Sequence, residues 1–464
     1  MMPLATLSLS ATVKDQLRAH LFPGDHKEAA AVLVCARVPG QRLRLIARDV
    51  VLVPHNACAS RTEHSLTWPG AHIEEAIDIA APEQLSLVLV HSHPYGFPDF
   101  SDTDDASDQE VMPCIFEAVG DLHGSAIMLP SGVLLARLYD RHGDLSHVDL
   151  VSVVGDDLQF WWRDDLSGAA IRPMAFTCDM RRELSRLTAC VIGISGTGSP
   201  VAEQVCRSGF GRVIGIDHDH VEDKNLNRIL NTSLADARGR RTKVAAFGER
   251  ANQYRETSFF EDIDANVMKR KAVLAAAQAD VVFCCVDTHR GRMIADRIAA
   301  SFLLPLFDVG VAIPTRKTGD GLAIAEVTGR IDYVKPGGSS LGDRGVYTAA
   351  SLQAEALAES DPAAHAEQVK AGYIEGLPEQ VPAVISLNLR AASACMLEFI
   401  ARAYPFRHEP NARYARTRFM LAEAFEEFTA ESEFLAKPST LLADGAKEPL
   451  LGLPVLGQED MECV

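Results

Sequence analysis

The sequence predicts two α/β units in tandem: a mixed sheet with helices over residues 1 to 155, then a largely parallel, doubly wound sheet over 187 to 430. Three observations predict this. EAAAVLVCARV, RLRLIARDVVLVP and LSLVLVHSHP are short apolar runs of buried-strand character, interspersed with the helical patterns TVKDQLRAHLF and AHIEEAIDIA. LTACVIGISGTGSPVAEQV reads as a strand, a glycine turn and a helix start, and FGRVIGIDHDHV and ADVVFCCVD repeat the strand pattern with room for helices between. At 464 residues and 47% hydrophobic content, the chain is long enough for two or three full cores without disulfides or structural metals.

Between the units, residues 156 to 186 mix aromatic, charged and loop-forming residues and read as a linker, with Trp161 and Trp162 anchoring it on a neighbouring surface. The polar stretch 339 to 377, with the helical AASLQAEALAES, is expected to cross the active face before the apolar helix VISLNLRAASACMLEFIARAY. Residues 431 to 464 read as a C-terminal tail, partly ordered or a mobile arm.

A formal net charge of -18, from 45 Lys and Arg against 63 Asp and Glu, disfavours nucleic acid and acidic membrane surfaces and favours proteins or small molecules as partners. The ten cysteines lack secreted-framework spacing, and no apolar stretch is long enough to cross a bilayer. The start MMPLATLSLS has no basic segment followed by a long apolar run, so a cytoplasmic location is expected.

The strand LSLVLV runs into HSHPYGFPDFSDTD. While the chain stays extended, His91 and His93 share one face and can reach one ion, and the flexible loop can fold Asp104 back to it. Two imidazoles and a carboxylate with an open fourth position suit catalytic zinc, whereas a closed structural site wants a fourth protein ligand. Glu28 is a candidate base for moving the water proton, and Ser101 a candidate donor to an oxyanion. Histidines hydrogen-bonded in a polar loop explain the same spacing.

The pattern H-x-H-x7-S-x2-D over 91 to 104, with the glutamate of HKEAAAVLVC before it, resembles the JAB/JAMM (MPN) metalloisopeptidase motif over about residues 20 to 130. The resemblance implies His91, His93 and Asp104 as Zn2+ ligands, Glu28 as the water-activating residue and Ser101 as the oxyanion-side hydroxyl. It implies cleavage next to the C-terminal glycine of a ubiquitin-like protein, or of a related tail or isopeptide bond.

In the second unit, TACVIGIS leads into Gly193, Gly196 and Gly198, with Ser199 and Pro200 suited to a helix start. Such glycines admit a phosphate close to backbone N–H groups, and Asp217 at the end of RVIGID sits where a carboxylate would meet a ribose. A tight turn, or a Rossmann dehydrogenase, accounts for this much. DHDHVEDKNLNRIL adds Asn225 and Arg228, GRRTKV adds Lys243, and VVFCCVDTHRGR adds Asp287 and Arg292. Arginine and lysine together can hold a triphosphate and the departing pyrophosphate, and Asp287 can hold Mg2+; hydride transfer needs no such set.

This combination, with PAVISLNLRAAS later, resembles the ThiF/MoeB and ubiquitin-activating adenylyltransferase family over roughly 175 to 400. The resemblance implies a Rossmann-like domain with Gly193, Gly196 and Gly198 as the phosphate loop and Asp217 as the ribose contact. It makes Asn225, Arg228 and Lys243 the ATP-phosphate residues and Asp287 the magnesium-side carboxylate. A homodimer through this domain is implied, with Arg228 open to acting in the partner subunit's site. The implied reaction is attack of a C-terminal glycine carboxylate on the α-phosphate of ATP.

The sequence departs from that family where many members carry Cys-x-x-Cys pairs and a nucleophilic cysteine: no cysteine occurs from 286 to 394. Cys284, Cys285 and Cys395 read as packing residues. Ser339, Ser340 and Cys463 are the remaining candidates for a covalent acyl group, against release of the adenylate to another protein's nucleophile or to an amine. Joined in one chain, the two units imply an enzyme that matures or removes a ubiquitin-like modifier and also activates it, with a conjugating enzyme as a possible partner. The alternatives are thioester-independent adenylation of a peptide or small molecule, and a modifier-binding scaffold that does not cut.

Overall fold

The computed structural model describes residues 2–165, 172–318, 321–370 and 384–457. The chain divides into two compact units: Met1–Pro173 with Ser301–Leu303 and Leu441–Lys447, and Met174–Ala300 with Leu304–Thr440 and Glu448–Val464.

The first unit is built on a nine-stranded mixed sheet. Its centre is Ala30–Val38, antiparallel to Leu43–Leu52 on one side and to Ser86–Ser92 on the other. Ser86–Ser92 then pairs in parallel with Leu122–Met128, which pairs antiparallel with Leu134–Asp140. Near-continuous apolar sequence in Ala30–Val38 follows from burial on both faces; Ala11–Leu21 and Ala71–Ala80 both pack against this central strand. The last strand of this sheet, Leu158–Trp162, lies within the stretch read as linker; it pairs antiparallel with Leu150–Val154, and Trp161 and Trp162 are buried in it.

The second unit carries an eight-stranded sheet. Five strands, Phe260–Ile263, Arg212–Ile216, Thr188–Ile192, Val281–Cys284 and Leu306–Ala312, run parallel in that spatial order. Thr328–Val334, Arg416–Met420 and Phe425–Thr429 extend it antiparallel. The strand order turns back at Thr188–Ile192, and in open α/β sheets ligands bind beyond the carboxyl ends of strands at such a switch point. The helices Ala349–Ser360 and Ile385–Ala403 form over the patterns read for them, and Ile385–Ala403 packs on Gly198–Ser208. Among the described residues, no helix is long and apolar enough to cross a membrane.

Candidate functional site

His91 is the penultimate residue of Ser86–Ser92 and His93 follows the strand's end. Their Nε2 atoms lie 3.0 Å apart. Asp104 arrives from the first turn of the helix Asp102–Ala118, with Oδ1 3.0 Å from His91 Nε2 and Oδ2 3.6 Å from His93 Nε2. Ser101 is the N-cap of that helix; its N–H donates to Asp104 Oδ2 at 2.6 Å and its Oγ accepts from the Asp104 N–H at 3.3 Å, the two halves of a capping box, and its hydroxyl also donates to Asp104 Oδ2 at 2.8 Å.

The donor set fits a cation. His93 Nδ1 lies 2.9 Å from the Phe97 carbonyl, which can only accept, so Nδ1 holds the proton of the neutral ring and Nε2 turns its lone pair to the site. Two imidazole nitrogens facing each other and a carboxylate need a proton or a metal ion among them. His91, His93 and Asp104 each offer an atom within 4.8 Å of the others, and two His and one Asp are a zinc-type set with an open position.

Glu28 is buried at the same place. Ala30 is the register partner of His91, so two residues further along this antiparallel pairing Glu28 falls opposite His93. Burial raises its carboxyl above the usual range, and the nearby His91 and His93 offset this only in part. Burial also acts to raise Asp104, but bonds to His91, His93 and the Ser101 N–H outweigh it and hold that carboxyl well below the usual range.

In the second unit, the turn after Thr188–Ile192 begins with Gly193 at φ 88°, a left-handed conformation that favours glycine. Gly198 opens the helix Gly198–Ser208, and a Cβ there would sit 1.6 Å from the Gly193 carbonyl oxygen, so the turn closes only with glycine. Asp217, buried at the end of Arg212–Ile216, accepts from the Ile194 N–H at 2.7 Å and the Asp219 N–H at 2.8 Å, tying the glycine turn to the next strand. Burial pushes its carboxyl up despite Lys243 nearby. Lys243 begins the helix Lys243–Ala251, is itself buried, and donates from Nζ to Asp219 Oδ2 at 2.7 Å.

Gly193, Gly196, Asp217, Asn225, Arg228, Lys243 and Asp287 all line one cleft of about 790 Å³. Gly198 does not line it but packs against the Gly193 carbonyl within the turn. Arg292 does not line it: its Nε is 3.3 Å from Asp308 Oδ1, a fully buried carboxylate that requires a cationic partner. Ser339 is buried and accepts from Arg344 Nε at 2.8 Å, while the Ser340 hydroxyl donates to Asp343 Oδ2 at 2.8 Å; neither lines the cleft. Cys463 lies outside the described residues. Cys284, Cys285 and Cys395 are buried, and burial raises each thiol far above its ordinary range.

Sequence reasoning missed two residues of this wall. Asp219 holds Lys243, a pairing that its spacing two residues after Asp217 could have suggested. Asn388, from Ile385–Ala403, lies across the glycine turn, 3.4 Å from the Thr197 hydroxyl; it falls within PAVISLNLRAAS, a stretch read as a helix without a role for this residue.

Residues 169–391 match the ThiF family and residues 10–146 match prokaryotic homologs of the JAB domain. The chain is a fusion of a JAB-like domain with a ThiF-family domain. Among curated relatives, ubiquitin-like modifier-activating enzyme 5 of Aedes aegypti is 27% identical over 181 residues, 36% of this chain and 42% of that protein. The same enzyme of Drosophila erecta is 27% identical over 180 residues, 36% of this chain and 41% of that protein. The chain thus spans about two fifths of the length of these relatives. Among solved structures, E. coli MccB with ATP aligns at TM-score 0.42 and 15% identity, covering 57% of this chain and 68% of that one.

Proposed function

We propose that this chain is a bifunctional enzyme: a zinc-dependent hydrolase of the peptide or isopeptide bond at a modifier's C-terminus, and an ATP-dependent adenylyltransferase of the exposed carboxylate. The observation that carries this is the pairing, in one polypeptide, of a convergent His91, His93 and Asp104 centre beside buried Glu28 with a glycine-turn cleft lined by Lys243, Arg228 and Asp287.

His91, His93 and Asp104 would hold zinc, which when bound acidifies water and polarises the scissile carbonyl. Glu28 accepts the proton of the attacking water and passes it to the leaving amine; burial, which raises its carboxyl above the usual range, makes it a stronger base for that transfer. The Ser101 hydroxyl would serve as a donor to the oxyanion by turning away from Asp104 Oδ2, while the Ser101 N–H keeps its own bond to that carboxylate.

In the cleft, ATP lies with its phosphates on the glycine turn at the start of Gly198–Ser208 and its ribose toward Asp217. A carboxylate oxygen of the substrate attacks the α-phosphorus, the bond to the bridging oxygen breaks, and pyrophosphate leaves with that electron pair. Lys243 leaves Asp219 to meet the departing charge together with Arg228 and Asn225, and Asp287 would hold Mg2+. The partners on this reading are a ubiquitin-like protein or another protein ending in glycine, a conjugating enzyme, and a second copy of the chain.

A thioester-free outcome is favoured by one observation: Cys284, Cys285 and Cys395 are buried, and no cysteine lies between 286 and 394. The adenylate would then pass directly to an amine or to a nucleophile on another protein. Intact-mass analysis after incubation with zinc, ATP, Mg2+ and a tailed modifier tests the whole reading. Trimming plus an adenylate is expected; an unchanged modifier with both substrates present rejects it.

A further inference from the structure

Arg137 sits on Leu134–Asp140, its side chain only 3% exposed. Its Nε and Nη2 donate to Asp108 Oδ2 at 3.0 and 2.7 Å, and its Nη1 donates to Asp105. The guanidinium carbon lies 3.9 Å from the centre of the Phe100 ring. One cation therefore grips Phe100, Asp105 and Asp108, which bracket Ser101 and Asp104 in the chain.

Asp102, Asp104 and Asp105 crowd the first turn of this helix, and Asp108 follows one turn later. Their mutual repulsion opposes a fixed helix start, although the helix N-terminus itself favours acidic residues. Buried Asp108 is held by several elements at once, since its Oδ2 also accepts from the Tyr139 hydroxyl at 2.9 Å and from the Ser125 hydroxyl. Arg137 is the charge that offsets the cluster. Its strand is joined through Leu122–Met128 to Ser86–Ser92, the strand that carries His91. The guanidinium thus fastens the helix bearing Asp104 to the sheet bearing the histidines.

We propose that Arg137 is a positioning residue for the metal centre, setting Asp104 at the separation from His91 and His93 that one ion requires. This rests on the reading of those three residues as zinc ligands. Groups bonded directly to a metal's ligands commonly change affinity by about 10- to 100-fold when removed, and Arg137, which acts on Asp104 through Asp105 and Asp108, should fall at or below the lower end.

The test uses the full chain as wild type, Arg137→Met, Arg137→Lys and Asp105→Asn. Zinc dissociation constants are measured by competition with a chromophoric chelator, and urea midpoints on the zinc-free protein. Arg137→Met is expected to weaken zinc binding by up to about tenfold, and Arg137→Lys to recover part of the loss. Asp105→Asn, at a half-exposed position, is expected to weaken zinc while leaving the midpoint in place, a response that a purely structural arginine would not produce. Should Arg137→Met fail to fold, the lysine and Asp105 variants still decide the matter. Wild-type zinc affinity in both of these overturns the proposal. A wild-type chain that takes up no zinc rejects the metal reading itself, whereas tight zinc in wild type and every variant rejects only the role of Arg137.

Discussion

Gly198→Ala tests the proposed nucleotide cleft through the tightest contact in its glycine turn. The added methyl carbon would lie 1.6 Å from the Gly193 carbonyl oxygen, where real contacts stay beyond 3.0 Å, so the turn must open by the difference, roughly 1.4 Å. Both atoms belong to backbone or its first substituent, and no rotamer change relieves the overlap. Overpacking of this kind costs about 1–3 kcal/mol of stability, a fall of a few degrees in the Tm of the second unit. The larger effect is on chemistry: a displacement near 1 Å in a site that works by alignment lowers rate by about a hundredfold. ATP–pyrophosphate exchange with a modifier as carboxylate donor is the assay, with Gly70→Ala as a comparison because a methyl there meets nothing within 4 Å. Exchange should fall about a hundredfold in Gly198→Ala and stay at the wild-type level in Gly70→Ala. Wild-type exchange in Gly198→Ala would refute the placement of the phosphates on this turn.

His91→Ala and Glu28→Gln should each abolish modifier trimming, read by mass, while exchange persists; loss of both activities from either change would mean the two sites are not independent. Lys243→Met should lower exchange by about 10²- to 10³-fold with trimming intact, and retained exchange would remove Lys243 from the phosphate path. Zinc removal by phenanthroline should stop trimming and spare exchange, with trimming recovered on adding zinc back. Burial raises the Asp296 carboxyl to about 6, so between the unfolded value near 4 and pH 6 the folded chain holds a proton that the unfolded chain has released. That contribution to stability is complete below pH 4 and is lost as pH rises through 6; the urea midpoint of Asp296→Asn relative to wild type should therefore rise across this window, and a constant difference would contradict it.

The convergence of His91, His93 and Asp104 was legible because its parts are local: a strand end fixes where His91 and His93 point, and a short loop with a serine cap returns Asp104. Glu28 could be named as a candidate base but not placed, since its approach to His93 depends on the pairing of Ala30–Val38 with Ser86–Ser92, which spacing along the chain does not encode. The glycine turn, Asp217 and Lys243 were readable for the same local reason. Arg292 looked equivalent to Arg228 in sequence, yet the register of Val281–Cys284 against Leu306–Ala312 brings Asp308 within its reach and draws it away. Leu158–Trp162 was hidden because its neighbours are mixed in character; its strand conformation comes from pairing with Leu150–Val154, a tertiary effect.

The two sites share a construction, and that construction predicts how they fail. Each takes its directional groups from the carboxyl end of a buried strand and its closing group from the helix that follows: His91 then Asp104 in one, Gly193 then Gly198 in the other. The strand end is rigid because its hydrogen bonds lie within the sheet, whereas the helix start depends on what caps and holds it. Ser101 and Arg137 hold it in the first unit; in the second, the glycine contact and Asp217 do so. Substitutions in these holding groups should therefore damage ligand affinity before they damage folding, and those in the strands the reverse. Paired zinc-affinity and urea measurements on Arg137→Lys and on Val90→Ala, a buried core position next to His91, separate the two cases. Val90→Ala should lower the midpoint of the first unit by more than its effect on zinc, and the opposite ordering would show that the strand end is the compliant partner.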